Sequence, residues 1–427
     1  MKRSLFLSIL TYSLLLLGVA TVHGGFLTLA LPLVAYLLIG YLQTPEEVKL
    51  EATRELSIER TSPNQDVNVT VTVTNRGSSL EEILLSDTVP AELAIRSGFS
   101  RHLLSLASGS SYRIVYTVAG PRGGYTFETI EAQITDHLAV SRSDVHVGAK
   151  KRLFVLPPLM RVRNIAIRPR RTRVYAGTIP SRAGGAGTEF FGVREYQPGD
   201  SPHSINWRAS ARYTDTLYAN EYQQERVADV GIVLDGRNKT NEFVQGHSLF
   251  EYSVQAAASI ADALLNQGNR VGLLLYATYL GWTVPGYGKI QRERILHALA
   301  SARTGDSQVF SDLEHIPTRL FPPESQIVFV SPLSEDDWKP LVQLRAQGYD
   351  VLVVSPNPVK FELSYLPSAN SNVNLAGRVM HMERLLLLQR LQRASIHVLD
   401  WDVKEPFDSF VKRRLGRSPV WLRAIGR

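Results

Sequence analysis

The chain of 427 residues contains no cysteine. Disulfides, thiolate metal sites and cysteine nucleophiles are therefore excluded, although the compartment is not, since exported proteins also exist without cysteine. No Gly-x-x-x-x-Gly-Lys-Ser/Thr occurs, so the chain carries no Walker-type phosphate loop of its own. Gly184-Gly-Ala-Gly187 lacks both the preceding strand and the following lysine such a loop needs, and reads as a flexible turn. There is no His-Glu-x-x-His, and the 10 histidines are scattered. Acidic residues are missing from the run that carries Arg161, Arg163, Arg168, Arg170, Arg171, Arg173 and Arg182. Charge of either sign is missing from Leu5 to Val22 and from Phe26 to Leu42.

Those two uncharged runs approach the ~20 residues that span a bilayer core. His23-Gly24-Gly25 separates them too briefly for a cleaved signal peptide followed by a second span. The expectation is a transmembrane helical hairpin, spans 5–22 and 26–42, with Pro32 tolerated as a kink. The competing reading is a buried apolar hairpin in a soluble protein. Lys2 and Arg3 precede the first run and the turn has no basic residue, which orients the N-terminus to the cytoplasm. Two passes then return the soluble part to the cytoplasm, at a cell membrane, with the lipid bilayer as a partner.

The whole chain has a hydrophobic content of 44% and a charged content of 20%, the balance of a folded chain long enough for more than one core. From residue 46 to 149 the period is two. Val67, Val69, Val71 and Val73 alternate with polar residues, and Tyr112, Ile114, Tyr116 and Val118 repeat the device. About seven short strands at such spacing predict an immunoglobulin-like β-sandwich. Residues 150–226 read as a basic linker followed by an unusual mixed segment. The arginines suit a solvated connector or anionic headgroups better than nucleic acid, for which interleaved aromatics are lacking. No nucleic-acid partner is expected.

From 227 to 403 strands alternate with helices. Ala228–Asp235, Gly268–Tyr276, Gln326–Ser331, Asp350–Ser355 and Ile396–Leu399 read as strands. Ser248–Gln267, Lys289–Ala302, Glu335–Gln347 and Arg378–Arg393 read as helices. Parallel βαβ units in a doubly wound sheet follow, with ligands expected at the carboxyl ends of strands, near Asp235 and Ser331. Leu385–Leu388 is too short for a membrane and reads as the core side of its helix. Residues 404–427 form a basic tail.

The mixed segment runs from Gly187 to Arg212. Glu189, Arg194, Glu195, Asp200, Arg208 and Arg212 share it with Phe190, Phe191, Tyr196 and Trp207. Pro198-Gly199-Asp200 is turn chemistry. Two readings stand: a structural connector in which charges pair and aromatics anchor, or a docking surface read by a partner through Glu189, Arg194, Glu195, Tyr196, Asp200, Trp207 and Arg212. His203 and Asp200 lie near Ser201 and Ser204, but closeness in one turn makes no triad. Arg194, Arg208 and Arg212 are near enough to neutralise the carboxylates.

Gly187-x-Glu-Phe-x-Gly-x-Arg-Glu-Tyr-x-Pro-Gly-Asp200, then Ile205-x-Trp-x-x-Ser-Ala-Arg212, Leu217, Tyr222 and Glu225, resembles the signature of domain-of-unknown-function family fifty-eight. Arg122-Gly-Gly-Tyr125 and Asp136-His-Leu-Ala-Val140 are similar to two further elements of it. The resemblance implies a membrane anchor, a von Willebrand factor A-like α/β domain after the signature, and a MoxR-type AAA ATPase as cytoplasmic partner. The role it implies is a non-enzymatic adaptor in protein maturation or cell-envelope processes. One departure bears on mechanism. Metal-binding A domains use Asp-x-Ser-x-Ser, oxygen ligands suited to Mg²⁺. This chain has Asp235-Gly-Arg-Asn-Lys239, with cations where the hydroxyls belong, and Val330-Ser-Pro332 where an acid is usual. The expectation is a degenerate motif at Asp235 that pairs with Arg237 or Lys239, no metal, no cofactor and no catalytic residues. The alternatives are an envelope hydrolase using Glu189 and Asp200, or a metal-dependent adhesive domain.

Overall fold

The computed structural model describes residues 2–22, 24–42, 48–135, 142–162, 165, 172–212, 216–307, 312–366 and 371–415. Chain contacts divide it into two units, Met1–Leu156 and Pro157–Arg427.

The first unit begins with α1 (Lys2–Thr21) and α2 (Gly24–Leu42), which pack against each other. Thr11 and Thr21 donate their hydroxyls to carbonyls four residues back, hiding polar groups in apolar helices. Among the described residues no helix is long and apolar enough to cross a membrane. α1 opens on Lys2 and Arg3, and α2 carries Pro32 within a continuous helix. The expected two-span hairpin thus appears as a helical pair without a qualifying span.

Nine strands follow: β1 (Leu50–Leu56), β2 (Arg60–Thr61), β3 (Val67–Asn75), β4 (Leu80–Asp87), β5 (Ala94–Gly98), β6 (Arg101–Leu106), β7 (Ser111–Ala119), β8 (Gly123–Thr135) and β9 (Arg142–Val155). They form two sheets, ordered β1-β3-β7-β5 and β2-β9-β8-β4-β6. The period-two pattern supplies the reason: Val67, Val69, Val71 and Val73 all face inward, against Leu85, Phe127 and Ile130 of the other sheet. β9 ends at Val155, so the first residues assigned to a basic linker are strand.

One buried ion pair joins the two sheets. Arg54 on β1 reaches Asp87 on β4 through both Nε and Nη2, and neither side chain has any exposed surface. Arg54 also donates to the carbonyl of Ala149, and lies 5.1 Å over the Phe127 ring. These partners sit where the β8–β9 register shifts, between Phe127 and Thr129. Tyr116 on β7 donates its hydroxyl to Asp87 at 2.5 Å. Burial, and then the adjacent Asp87 charge, hold that phenol protonated well above its ordinary range.

The second unit opens with a long antiparallel hairpin, β10 (Thr172–Glu195) and β11 (Tyr218–Asp235), whose pairing shifts register four times. The expected connector over 150–226 is therefore mostly ladder. Arg173 pairs in register with Val227, because backbone hydrogen bonding along β11 outweighs the lack of alternation. Arg163, Arg168, Arg170 and Arg171 lie outside the described residues. Between the strands stands a four-residue helix, α3 (Trp207–Ser210).

The remaining elements are β12 (Phe243–Val244), β13 (His247–Ser248), α4 (Leu249–Asn266), β14 (Arg270–Tyr276), β15 (Leu280–Gly286), α5 (Gly288–Ser301), β16 (Gln326–Val330), α6 (Trp338–Ala346), β17 (Asp350–Pro356), α7 (Pro358–Tyr365), α8 (Ser371–Arg393), β18 (His397–Trp401) and α9 (Phe407–Leu415). The main sheet runs β15-β14-β11-β16-β17-β18, parallel from β14 to β18 with β15 antiparallel at the edge. α6 packs on β17, α8 on β18, and α4 on β11, β14, β16 and β17. The tail does not start at 404: α9 buries Phe407, Phe410 and Val411, which makes it part of this core. Leu387 and Leu388 are core as expected, but Leu385 and Leu386 face outward, because a helix turns about 100° per residue.

Gly231, in the part of β11 that pairs with β14 and β16, is required by packing. A Cβ there would meet the buried Phe321 ring at 2.2 Å. Gly231→Ala is expected to cost about 1–3 kcal/mol through overpacking. All 5 tryptophans lie in this unit, so a denaturant midpoint followed by tryptophan fluorescence reads the change directly.

Candidate functional site

Numbered along the chain, the parallel strands β11, β14, β16, β17 and β18 stand in the order 2-1-3-4-5. In that topology the crossovers reverse between the first and third strands, and the carboxyl ends there leave a crevice. Asp235 ends β11, and Ser331 follows β16 immediately beyond Val330. The crevice is occupied by a side chain of the protein itself. Arg237, 2% exposed, donates from Nε to Asp235 Oδ1 at 2.8 Å and from Nη2 to Oδ2 at 2.7 Å. Its outer edge donates to both oxygens of Asp337, at 3.0 and 2.8 Å. Asp337 is presented by the turn before α6, where Ser334 and Asp337 form a reciprocal capping box.

Hydroxyls and amides complete the cluster. Ser331 Oγ donates to Asp235 Oδ2 at 2.6 Å and Thr240 Oγ1 to the same oxygen at 3.1 Å. The Arg237 amide donates to Asp235 Oδ1 at 3.0 Å, and the Ser334 amide to Asp337 Oδ2 at 2.7 Å. Burial works against the Arg237 charge, but hydrogen bonds and charge from Asp235 and then Asp337 outweigh it and raise its pKa above the ordinary value. Two carboxylates, two hydroxyls and a fixed cation thus close on one another. Of the two cations considered for Asp235, Arg237 is the partner; Lys239 reaches out to Asp312 at 2.5 Å on the surface.

A second buried arginine lies at the ends of β17 and β18, and no sequence motif pointed to it. Arg384 on α8 donates to Asp400 Oδ1 at 2.7 Å, to Ser355 Oγ at 2.8 Å and to the Pro332 carbonyl at 2.8 Å. Asn357 holds the same carboxylate from the other side, at 3.2 and 3.1 Å. The signal was a lone arginine on the otherwise apolar face of α8. At the ends of β11 and β14, Leu234, Phe250, Tyr276 and Ala277 line a cavity of about 10 Å³, room for one water and no substrate.

The signature segment forms a separate locus. Arg194, at the end of β10, forks onto Asp200 with both contacts at 2.7 Å. Asp200 also accepts from the Gln197 amide at 2.9 Å, and Tyr196 donates its hydroxyl to the Asp200 carbonyl at 2.8 Å. The Arg194 hydrogen bonds, followed by that amide, lower the Asp200 pKa. Gly199, at φ +108°, lets the turn close. Asn206 caps α3 by accepting from the Ala209 amide at 2.9 Å and ties back to Asn220 at 2.8 Å. Arg194, Tyr196 and Asp200 are thus brought together, while Glu195, Trp207 and Arg212 point into solvent. The Glu189 side chain lies outside what the structure describes. Arg208 and Arg212, expected to neutralise the carboxylates, form no ion pair among the described residues.

No curated protein matches the chain. Among solved structures it is similar to the CARDB domain of the PF1109 protein from Pyrococcus furiosus, solved with di-metal ions, at 16% identity over 26% of this chain and 92% of that one, TM-score 0.19. A FixG-related protein from Vibrio parahaemolyticus gives 12% identity over 25% and 95%, TM-score 0.17. The major pilin subunit BcpA of Bacillus cereus gives 9% over 27% and 41%, TM-score 0.20. At such scores these likenesses carry no argument about this chain. Residues 192–363, from the Arg194 turn through the Arg237 cluster to α7, match the family model described as "Protein of unknown function DUF58", the family to which this stretch of the chain is similar.

Proposed function

We propose that the protein is a non-enzymatic adaptor, held at a membrane by its α1/α2 pair, that presents the signature hairpin to a partner protein. The observation that carries the reading is Trp207, 69% exposed at the start of α3, beside the turn that Arg194 and Asp200 close. Arg194, Asp200, Tyr196 and Asn206 commit their polar groups within the hairpin. A large aromatic exposed beside a hydrogen-bonded turn suits an interface anchor, because such anchors are most often Trp, Tyr or Arg. Phe190, Val193 and Leu217 on the same hairpin are also exposed and extend the apolar surface.

Three further features support the reading. Leu5, Phe6, Ile9 and Leu16 of α1, with Leu29, Leu31 and Leu38 of α2, are exposed and suit an apolar surrounding. Asp200 has both oxygens committed to Arg194, which disfavours it as a general acid or base. The Arg237 guanidinium fills the space between Asp235 and Asp337, which supports recognition that needs no metal there. The partner is the cytoplasmic MoxR-type AAA ATPase that the family resemblance implies.

Trp207→Ala tests this. Its effect on stability is expected within about 0.5 kcal/mol, because the ring is in solvent. Its effect on co-purification with the ATPase is expected to exceed about tenfold, as for an anchor residue. Undiminished capture by a folded Trp207→Ala chain sinks the docking role. Arg194→Ala is a poorer probe, since it dismantles the turn that carries the anchor.

A further inference from the structure

α8 has two apolar faces, and only one of them is used by the fold. Arg384, Leu387, Leu388 and Leu391 are buried against the α/β core. Leu375, Val379, Met382 and Leu386 are 61%, 51%, 60% and 52% exposed. At about 100° per residue these four fall within an arc of about 60°, roughly opposite the buried face. Their spacing of four, three and four residues is the d-a-d-a seam of a coiled coil. A solvated helix gains nothing from such a stripe.

The charges beside the seam say what covers it. With Val379 at an a position, Arg378 is the g residue and Glu383, five residues on, is the e residue of the next heptad. Both are exposed, and among the described residues neither has an ion-pair partner. Parallel two-stranded coils pair g of one helix with e of the other five residues later. A second copy of the same helix, parallel and in register, therefore sets Arg378 against Glu383 twice. An antiparallel copy brings g to g and e to e, and leaves both charges unmatched. We infer that α8 is a homodimerisation helix, pairing in parallel with α8 of a second copy of this chain through Leu375, Val379, Met382 and Leu386. The seam is short, about 16 Å along the axis, so the dimer is expected to depend on concentration.

The natural absence of cysteine makes the test clean. Leu375→Cys and Leu386→Cys, placed singly in the solubilised full-length chain, are each expected to oxidise to a disulfide dimer; Gln392→Cys, off the seam, is the control. Cross-linking only in a mixture of the two variants means an antiparallel pair and overturns the proposal. Arg378→Glu and Glu383→Arg are each expected to lower the association constant roughly tenfold, and the double reversal to restore it. Restoration distinguishes an intermolecular pair from loss of folding, because residues five apart on one helix do not face each other. A chain that sediments as a monomer at every concentration, with no cross-link above the control, assigns the face to another occupant and overturns the inference.

Discussion

Replacing Arg237 by alanine is expected to lower the stability of the α/β unit by about 3–5 kcal/mol, the penalty for leaving buried carboxylates without their cation. Asp235 and Asp337 lie under the surface on either side of that guanidinium, with side-chain exposures of 0% and 3%. Removing the cation leaves two buried negative charges facing each other without a counter-charge between them. It also unties β11 from the turn that starts α6, since Arg237 bridges the two carboxylates. Arg237→Lys is expected to recover only part of the loss, because one ammonium cannot fork onto two carboxylates at once. Neutralising the acids in the same background, with Asp235→Asn and Asp337→Asn, is expected to recover more than lysine does. Tryptophan fluorescence against denaturant reads all of these. A loss under about 1 kcal/mol for Arg237→Ala, the size of a surface pair, removes the cluster from any structural role.

Arg54→Met is expected to cost the first unit a similar amount, about 3–5 kcal/mol. Arg54 and Asp87 stand in different sheets, and their side chains have no exposure. Methionine fills the space of the arginine stem but leaves Asp87 charged and buried, with Tyr116 still donating to it. Tyr116→Phe removes one hydrogen bond to a carboxylate and is expected to cost about 1–3 kcal/mol. Arg54→Met combined with Asp87→Leu is expected to approach wild type, because removing both charges avoids the desolvation penalty. No tryptophan lies in this unit, so amide hydrogen exchange over β3 and β7 is the appropriate measurement. The raised phenol pKa adds a pH signature: its contribution is complete below the ordinary tyrosine value of 10.0 and is lost as pH rises beyond it. Tyr116→Phe is expected to abolish that alkaline component.

The legible parts of this protein were those that repeat. Valines at every second position fold into β3, and the helix over Ser248–Gln267 appears as α4 within a residue at each end, because periodicity reports which face is buried. The strand ends at Asp235 and beyond Val330 were also legible, since a buried run that stops on a polar residue marks a carboxyl edge. The hairpin of β10 and β11 was not. Its pairing is long-range and broken by four register shifts, so no local pattern survives to announce it. α9 was read as tail because its charges dominate a short stretch, while the three residues that bury it are recognised only by the core they enter.

The candidate site divides in the same way. Asp235, Arg237 and Lys239 were evident as a run whose cations oppose a metal, but the run alone left two partners open for Asp235. Asp337, 100 residues from Arg237, decided the matter, for it makes Arg237 the bridge between two strand-end carboxylates. The sequence by itself determined the alternations, the absence of thiols and of a phosphate loop, and the mixed charge of the signature. Only the tertiary structure decided which charges meet, that Arg194 closes on Asp200 while Trp207 remains in solvent, and that α8 has a second apolar face. The reason is physical: composition and period act through neighbours along the chain, whereas burial and ion pairing are set by segments brought together across it.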